Sequence, residues 1–254
     1  MGPKKFLRAL LSALFLLIFV IAGFETAWAD EVAAGGSVAY VSRYIWRGQD
    51  LLADNDPAIQ PSVTFTFSRN VSFNVWGSYG FGGPNEKNEL DELDFTLSYS
   101  GALNKLVSYT VGHTYYTFHT GGLEESQETF AGISFPEAPL NPAVTLYGDW
   151  GSDVSRGYYL SVTGSKEFRL GRSQPLTLSL SVGYCDGQWS MEPGISDINI
   201  GLSTTKKLGL VTITPSLNYT YVPDKASTAK GTTSPPKINT HNEIWMGVTF
   251  GFSP

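Results

Sequence analysis

Ile59-Gln60-Pro61-Ser62-Val63-Thr64-Phe65-Thr66-Phe67 alternates apolar with hydroxyl or amide side chains without a break. A strand projects successive side chains to opposite faces, so this stretch has one dry face and one wet one. Together with residues 36–47 it reads as one amphipathic β-hairpin. In a soluble sandwich the dry face would cover a core. Repeated along a chain behind an export signal, the same pattern means lipid outside and water inside.

An export signal is expected at residues 1–29. Lys4, Lys5 and Arg8 form a positive start, Leu10 to Phe24 is almost wholly apolar, and Ala27-Trp28-Ala29 supplies a small-x-small cleavage pattern before Asp30. The competing reading is an uncleaved apolar anchor, because the run approaches spanning length. No cysteine follows the apolar run and no Arg pair precedes it, which excludes a lipid-anchored protein or a twin-Arg substrate and leaves Sec-type export from a Gram-negative cytoplasm. Residues 30–254 then form one domain.

The formal charge of −6 argues against nucleic acid, which needs a basic face. Charged residues make up only 16% and aromatics 13%, the balance expected of an exterior that meets lipid. Cys185 is the single cysteine, so no intramolecular disulfide staples the chain. Stability must come from the backbone hydrogen-bond network, and barrel closure supplies that without open edges.

Twelve strands are predicted: 37–47, 58–67, 71–81, 93–100, 107–117, 127–135, 143–150, 157–164, 175–185, 195–204, 211–222 and 242–252. Most have about the 9–11 residues that a tilted strand needs to cross a membrane. Pro61 and Pro215 each remove a ladder donor and mark bulges or ends. The connections 48–57, 82–92, 118–126, 186–194 and 223–241 are long and polar, whereas those between them, such as Ser68-Arg69-Asn70, are mostly tight. The segment 151–156 is a short exception and 165–174 a long one. Long external loops with short periplasmic turns, and an even strand count, place both termini on the periplasmic side.

The aromatics sort in the same way. Tyr44 and Trp46, Tyr79 and Phe81, Trp150, Tyr184, Tyr219 and Tyr221 fall near strand ends that precede long loops. Phe65, Phe67, Tyr99, Phe135, Phe250 and Phe252 fall at the opposite ends. Two aromatic girdles mark the two interfaces of a membrane barrel. The fold expected is therefore all-β: a transmembrane antiparallel β-barrel of about twelve strands in the outer membrane.

Ser42-Arg43-Tyr44-Ile45-Trp46-Arg47-Gly48, followed by Pro57-Ala58-Ile59-Gln60-Pro61, resembles the first hairpin of the TorF porin family. The resemblance is specific over residues 37–67. It implies an outer-membrane β-barrel with a pore, no known substrate and no established catalytic residue.

On a continuous first strand, Arg43 and Arg47 share one face, and Tyr44 and Trp46 the other. If the aromatics meet lipid, the arginines point into the lumen, since arginine on the lipid face costs roughly 2–4 kcal/mol at the midplane. Two roles follow. The arginines are either a basic strip that attracts anionic solutes, or partners of Asp94, Glu128, Asp149, Asp197 and Glu243 in an ion-pair network that braces the wall. These seven are the candidate pore-lining residues. Ser179, Ser181, Gly183, Asn199, Gly201, Ser203, Thr214, Ser216 and Asn218 leave room for water on the inner faces. Trp76, Tyr147, Tyr159 and Trp245 share those faces, as filler or as platforms for sugars or nucleosides.

Enzymatic chemistry is not expected. Ester hydrolysis on a barrel needs a histidine within reach of a nucleophile, and His113, His119 and His241 lack the His-x-Ser arrangement of the outer-membrane phospholipase. His113 falls toward lipid in this register, which implies a bulge or a place near the interface. Asp50, Asp54 and Asp56 lack the EF-hand spacing and read as a solvated loop face; no metal or cofactor is expected. Glu86, Glu89, Asp91, Glu92, Glu124 and Glu125 read as acidity on external loops, bridging lipopolysaccharide through divalent cations or keeping loops soluble. The turns carry Arg69, Lys105, Lys166, Arg169, Arg172, Lys206 and Lys207.

The function expected is passive diffusion of small hydrophilic solutes. The expected partners are outer-membrane lipid, lipopolysaccharide, the barrel assembly machinery and the solutes themselves. The alternatives are a plugged structural or assembly barrel and, behind it, a lipid hydrolase.

Overall fold

The computed structural model describes residues 32–52, 56–67, 70–82, 87–120, 122–169, 174–223 and 242–252. The expected leader, Asp54, Arg69, Glu86, Arg172, His241 and nearly all of the last loop lie outside the described residues.

Twelve antiparallel strands close into a barrel. They are β1 (Val32–Val41), β2 (Ala58–Phe67), β3 (Val71–Gly82), β4 (Lys87–Ala102), β5 (Ser108–Phe118) and β6 (Ser126–Ser134), then β7 (Ala143–Asp149), β8 (Gly157–Phe168), β9 (Leu176–Asp186), β10 (Gly194–Ser203), β11 (Val211–Tyr221) and β12 (Glu243–Phe252). Each pairs with its neighbour in sequence, and β12 pairs with β1 through Gly36↔Phe252 to Val41↔Gly247, which shuts the sheet. Closure leaves no unpaired edge.

The period-two alternation becomes the two faces of the wall. One row crosses β2 to β5 as Phe65↔Phe73↔Leu97↔His113, and another crosses β8 to β12 as Val162↔Val182↔Ile198↔Tyr221 and Leu202↔Leu217↔Met246. This face is outside: Leu97, Val162, Leu217 and Met246 are all substantially exposed. The opposite face carries Thr64, Asn74, Thr96, Thr114, Ser181, Asn199 and Thr220 and lines the interior. The two aromatic rings are largely present. Trp150, Tyr158, Tyr184 and Tyr221 stand exposed at the long-loop end, Phe67 and Tyr99 at the turn end. His113 does face outward; its Nδ1 hydrogen-bonds Thr129 Oγ1 at 3.1 Å and its ring lies 5.6 Å from that of Trp150. It thus joins the aromatics of the loop end.

Two expectations about the strands fail. The first strand does not run 37–47: it begins at Val32 and ends at Val41. Ser42 N still bonds Met246 O at 2.8 Å, but the chain then leaves the wall and doubles back as a small hairpin, Ile45–Trp46 against Gln49–Asp50. Its two turn residues, Arg47 and Gly48, both have positive φ (49° and 80°), the conformation that lets a two-residue turn follow strand twist. Second, residues 82–92 are not a long loop. The β3–β4 ladder continues to Gly82↔Lys87, past a bulge at Ser78/Tyr79, so Asp91 and Glu92 belong to a strand and are buried rather than solvated.

Candidate functional site

The hairpin 45–50 folds into the loop-end half of the lumen. Tyr44 and Trp46, expected to face lipid, face inward instead. The Tyr44 hydroxyl donates to Glu92 Oε2 at 2.8 Å, and its ring lies 5.6 Å from that of Trp76. Trp46 meets Tyr116 and Trp189 edge-on, with centroids 6.5 and 6.1 Å away. The conclusion that the arginines point inward survives, but its reason was wrong. They are inside because the whole segment left the wall, not because aromatics took the lipid side.

Arg47 sits at the hairpin tip and reaches the wall opposite β1. Its Nη1 and Nη2 donate to the two carboxylate oxygens of Glu128 at 2.7 and 2.9 Å, the two-pronged geometry that suits guanidinium best. Nη1 also donates to Gln188 Oε1, and Gln188 Nε2 donates to Glu128 Oε2 at 2.7 Å. The Tyr116 hydroxyl completes the Glu128 shell at 3.0 Å. The rings of Trp46, Tyr147 and Tyr159 surround the guanidinium with centroids 4.3, 4.6 and 4.2 Å away, all inside the range of cation–π attraction. Gly48 touches the far wall as well: a Cβ there would stand 3.0 Å from Asp197 Cβ and Ser196 O, so close approach as well as φ requires glycine.

The remaining candidates divide among separate contacts. Arg43 Nη1 pairs with Glu243 Oε2 at 2.6 Å and stands 4.0 Å from Asp50 Oδ2. Asp197 accepts from Tyr159 Oη (3.2 Å), Ser196 Oγ (2.6 Å) and Asn199 Nδ2 (2.7 Å), and so steadies one wall of the Arg47 cage. Asp149 lies apart: it accepts from Ser126 Oγ, Ser155 Oγ and Gly151 N, and pins the 149–157 loop. Asp94 projects inward opposite Trp76, two residues from Glu92 on the same face. Burial pushes the Asp50 carboxyl, on the inserted hairpin, up to about 7, opposed by the Leu52 amide and Arg43.

Sequence reasoning missed Asp50, Glu92, Tyr116 and Gln188 as members of this cluster. Tyr116 was legible, since it lies two residues from both Thr114 and Phe118 and so shares their inner face. Gln188, in the short 3₁₀ turn Gln188–Ser190, carries no local signal.

Below the hairpin the lumen changes character. A cavity of about 360 Å³ is lined by small polar side chains of β8 to β11, by Trp245 of β12, by Asn141 of the β6–β7 turn, and from above by Ile45 and Arg47. No group of three or more His, Cys, Asp or Glu among the described residues has metal-holding geometry. His119 Nε2 lies 3.4 Å from Thr117 Oγ1 in the loop after β5.

The barrel is similar to solved outer-membrane porins. It superposes on the NanC porin with a TM-score of 0.56 at 11% identity, covering 87% of this chain and 100% of that one. On the KdgM porin the TM-score is 0.53 at 10% identity, covering 86% and 99%. A second KdgM structure, described as in complex with disordered oligogalacturonate, gives 0.53 at 8% identity, covering 87% and 99%. At these identities the likeness is one of fold: an all-β, antiparallel, closed twelve-strand barrel of the outer-membrane porin kind. No curated protein matches the sequence. The model of the Gcw_chp family, described as bacterial proteins of unknown function, matches residues 26–250, and the chain belongs to that family.

Proposed function

We propose that this chain is an outer-membrane channel for passive diffusion of small hydrophilic solutes, in which the inserted first loop is a fixed constriction. One observation carries the reading: the closed barrel has an apolar exterior and a small-polar interior that stays hollow beneath the hairpin, with a cavity of about 360 Å³. Twelve strands enclose more than the eight whose side chains just fill a barrel. The likeness of residues 37–67 to the TorF porins supports the same reading. So does the existence of a barrel of this fold described with an oligosaccharide.

In this reading residues 1–29 are an export leader, the assembly machinery inserts residues 30–254, the turn end and both termini face the periplasm, and the loops face lipopolysaccharide. Arg43 and Arg47 brace the constriction rather than attract anions, because their guanidinium groups lie against Glu243 and Glu128. The described inner face carries Glu128, Asp149, Asp197 and Glu243 against these two arginines. The residual field is negative, so charge selection favours cations.

The test is conductance of pure, folded protein in planar bilayers. Discrete steps with a modest cation preference are expected; silence of the wild type sinks the channel reading. The packing around the hairpin, with Tyr44 and Leu52 fully enclosed, favours one second reading, a plugged barrel with a structural role. In that case neither the wild type nor a loop-shortened variant conducts.

A further inference from the structure

The wall beneath Arg47 carries one continuous row of paired residues. Ser165 of β8, Ser179 of β9, Gly201 of β10, Asn218 of β11 and Trp245 of β12 are successive partners across five strands. All five line the cavity. The row thus presents hydroxyl, hydroxyl, a bare glycine, an amide and an indole in one line across the strands. The glycine is what lets its neighbours close in: a Cβ on Gly201 would lie 2.5 Å from Ser179 Oγ and 2.8 Å from Asn218 Oδ1, so both polar groups lean over it. The indole is held in place, its Nε1 donating to Thr220 Oγ1 at 3.2 Å, while its ring packs against the Val41–Tyr44–Leu52–Ala58 cluster.

The charge balance narrows the ligand. Arg47 is the one charged side chain lining this cavity among the described residues, and both its terminal nitrogens are committed to Glu128. An anionic solute would find no uncommitted cation there, and a cationic one no facing carboxylate. Hydroxyls and amides in a row with a fixed aromatic plate suit a ligand with many hydroxyls and one apolar ring face. The cavity volume falls in the range of about 300–1,000 Å³ typical of small-molecule sites.

From this we infer that the cavity is a binding station for neutral saccharides, with a sugar ring stacked on Trp245 and its hydroxyls on Ser179 and Asn218. The inference rests on the channel reading and adds to it the class of solute.

The experiment is calorimetric titration of the folded full chain in detergent with maltotriose, and in parallel with trigalacturonate. Maltotriose should bind saturably, and trigalacturonate about five-fold more weakly or worse. Trp245→Ala should weaken maltotriose about five-fold, the loss of one central contact. Gly201→Leu, whose side chain must push Ser179 Oγ and Asn218 Oδ1 aside while leaving the indole in place, should weaken it at least as much and guards against a Trp245 variant that fails to fold. Absence of saturable maltotriose binding by folded wild type overturns the inference. So does acidic sugar binding as well as neutral, or both folded variants binding like wild type. Bilayer conductance on the same preparations separates the two readings: conductance without binding overturns the station alone, and binding without conductance overturns the channel alone.

Discussion

The two halves of the lumen are solved in opposite ways. At the loop end the interior is packed with aromatics and ion pairs around an inserted hairpin. At the turn end serine, threonine, asparagine and glycine leave a hollow. Both halves are built on the same alternating strands, so the wall does not decide which half is filled. Among the described residues only the loop end has a segment that left the wall, and its neighbours answer to it: Glu128 and Gln188 to Arg47, Glu92 to Tyr44, Glu243 to Arg43. A barrel of this width stays hollow by default and is narrowed by what folds into it.

The contrast breaks most sharply at Arg47. Arg47→Ala leaves Glu128, only 1% exposed, buried without its cation, and breaking such a pair costs about 3–5 kcal/mol. Urea unfolding in detergent should show a loss of that order, while Arg47→Ala combined with Glu128→Ala should recover much of it. A double variant no better than the single one would show that the pair is not what holds the hairpin.

Gly48→Ala comes next. It puts a Cβ into a left-handed residue pressed against Ser196 and Asp197, at a cost of about 1–3 kcal/mol. The expected readout is faster protease cleavage within residues 43–52, with the barrel itself intact.

The pH effect is smaller. With the Asp50 carboxyl raised to about 7 from an ordinary value near 4, the folded chain holds this proton where the unfolded one has released it. Stability from this group is complete below about pH 4 and is lost as pH rises through about 7. Wild type should therefore lose more melting temperature between pH 5 and pH 8 than Asp50→Asn does; equal losses would remove Asp50 from the account.

At the turn end, Ser216→Ala should move stability by no more than about 0.5 kcal/mol, because it touches neither pair nor plug. A large effect there would erase the contrast between the halves.

The strands were legible because alternation is local: Leu176 to Tyr184 shows its two faces whatever surrounds it. The hairpin was not. Tyr44 and Trp46 alternate with Arg43, Ile45 and Arg47 whether the segment stays in the wall or turns into the lumen, and only pairing with distant strands distinguishes the two. Arg47-Gly48, a residue followed by glycine directly after the β-prone Ile45-Trp46, was the one local hint. Asp91 and Glu92 misled for a related reason. Charge usually marks a solvated loop, but inside a water-lined barrel it also marks the inner face of a strand. The Arg47–Glu128 pairing spans 81 residues, beyond any local pattern.

Single-channel conductance of the wild type against a variant with residues 44–51 replaced by two glycines tests the central claim most directly. The account predicts small discrete steps for wild type and clearly larger ones once the hairpin is removed. Equal conductance from the two folded proteins would contradict it, because the first loop would then not be the constriction.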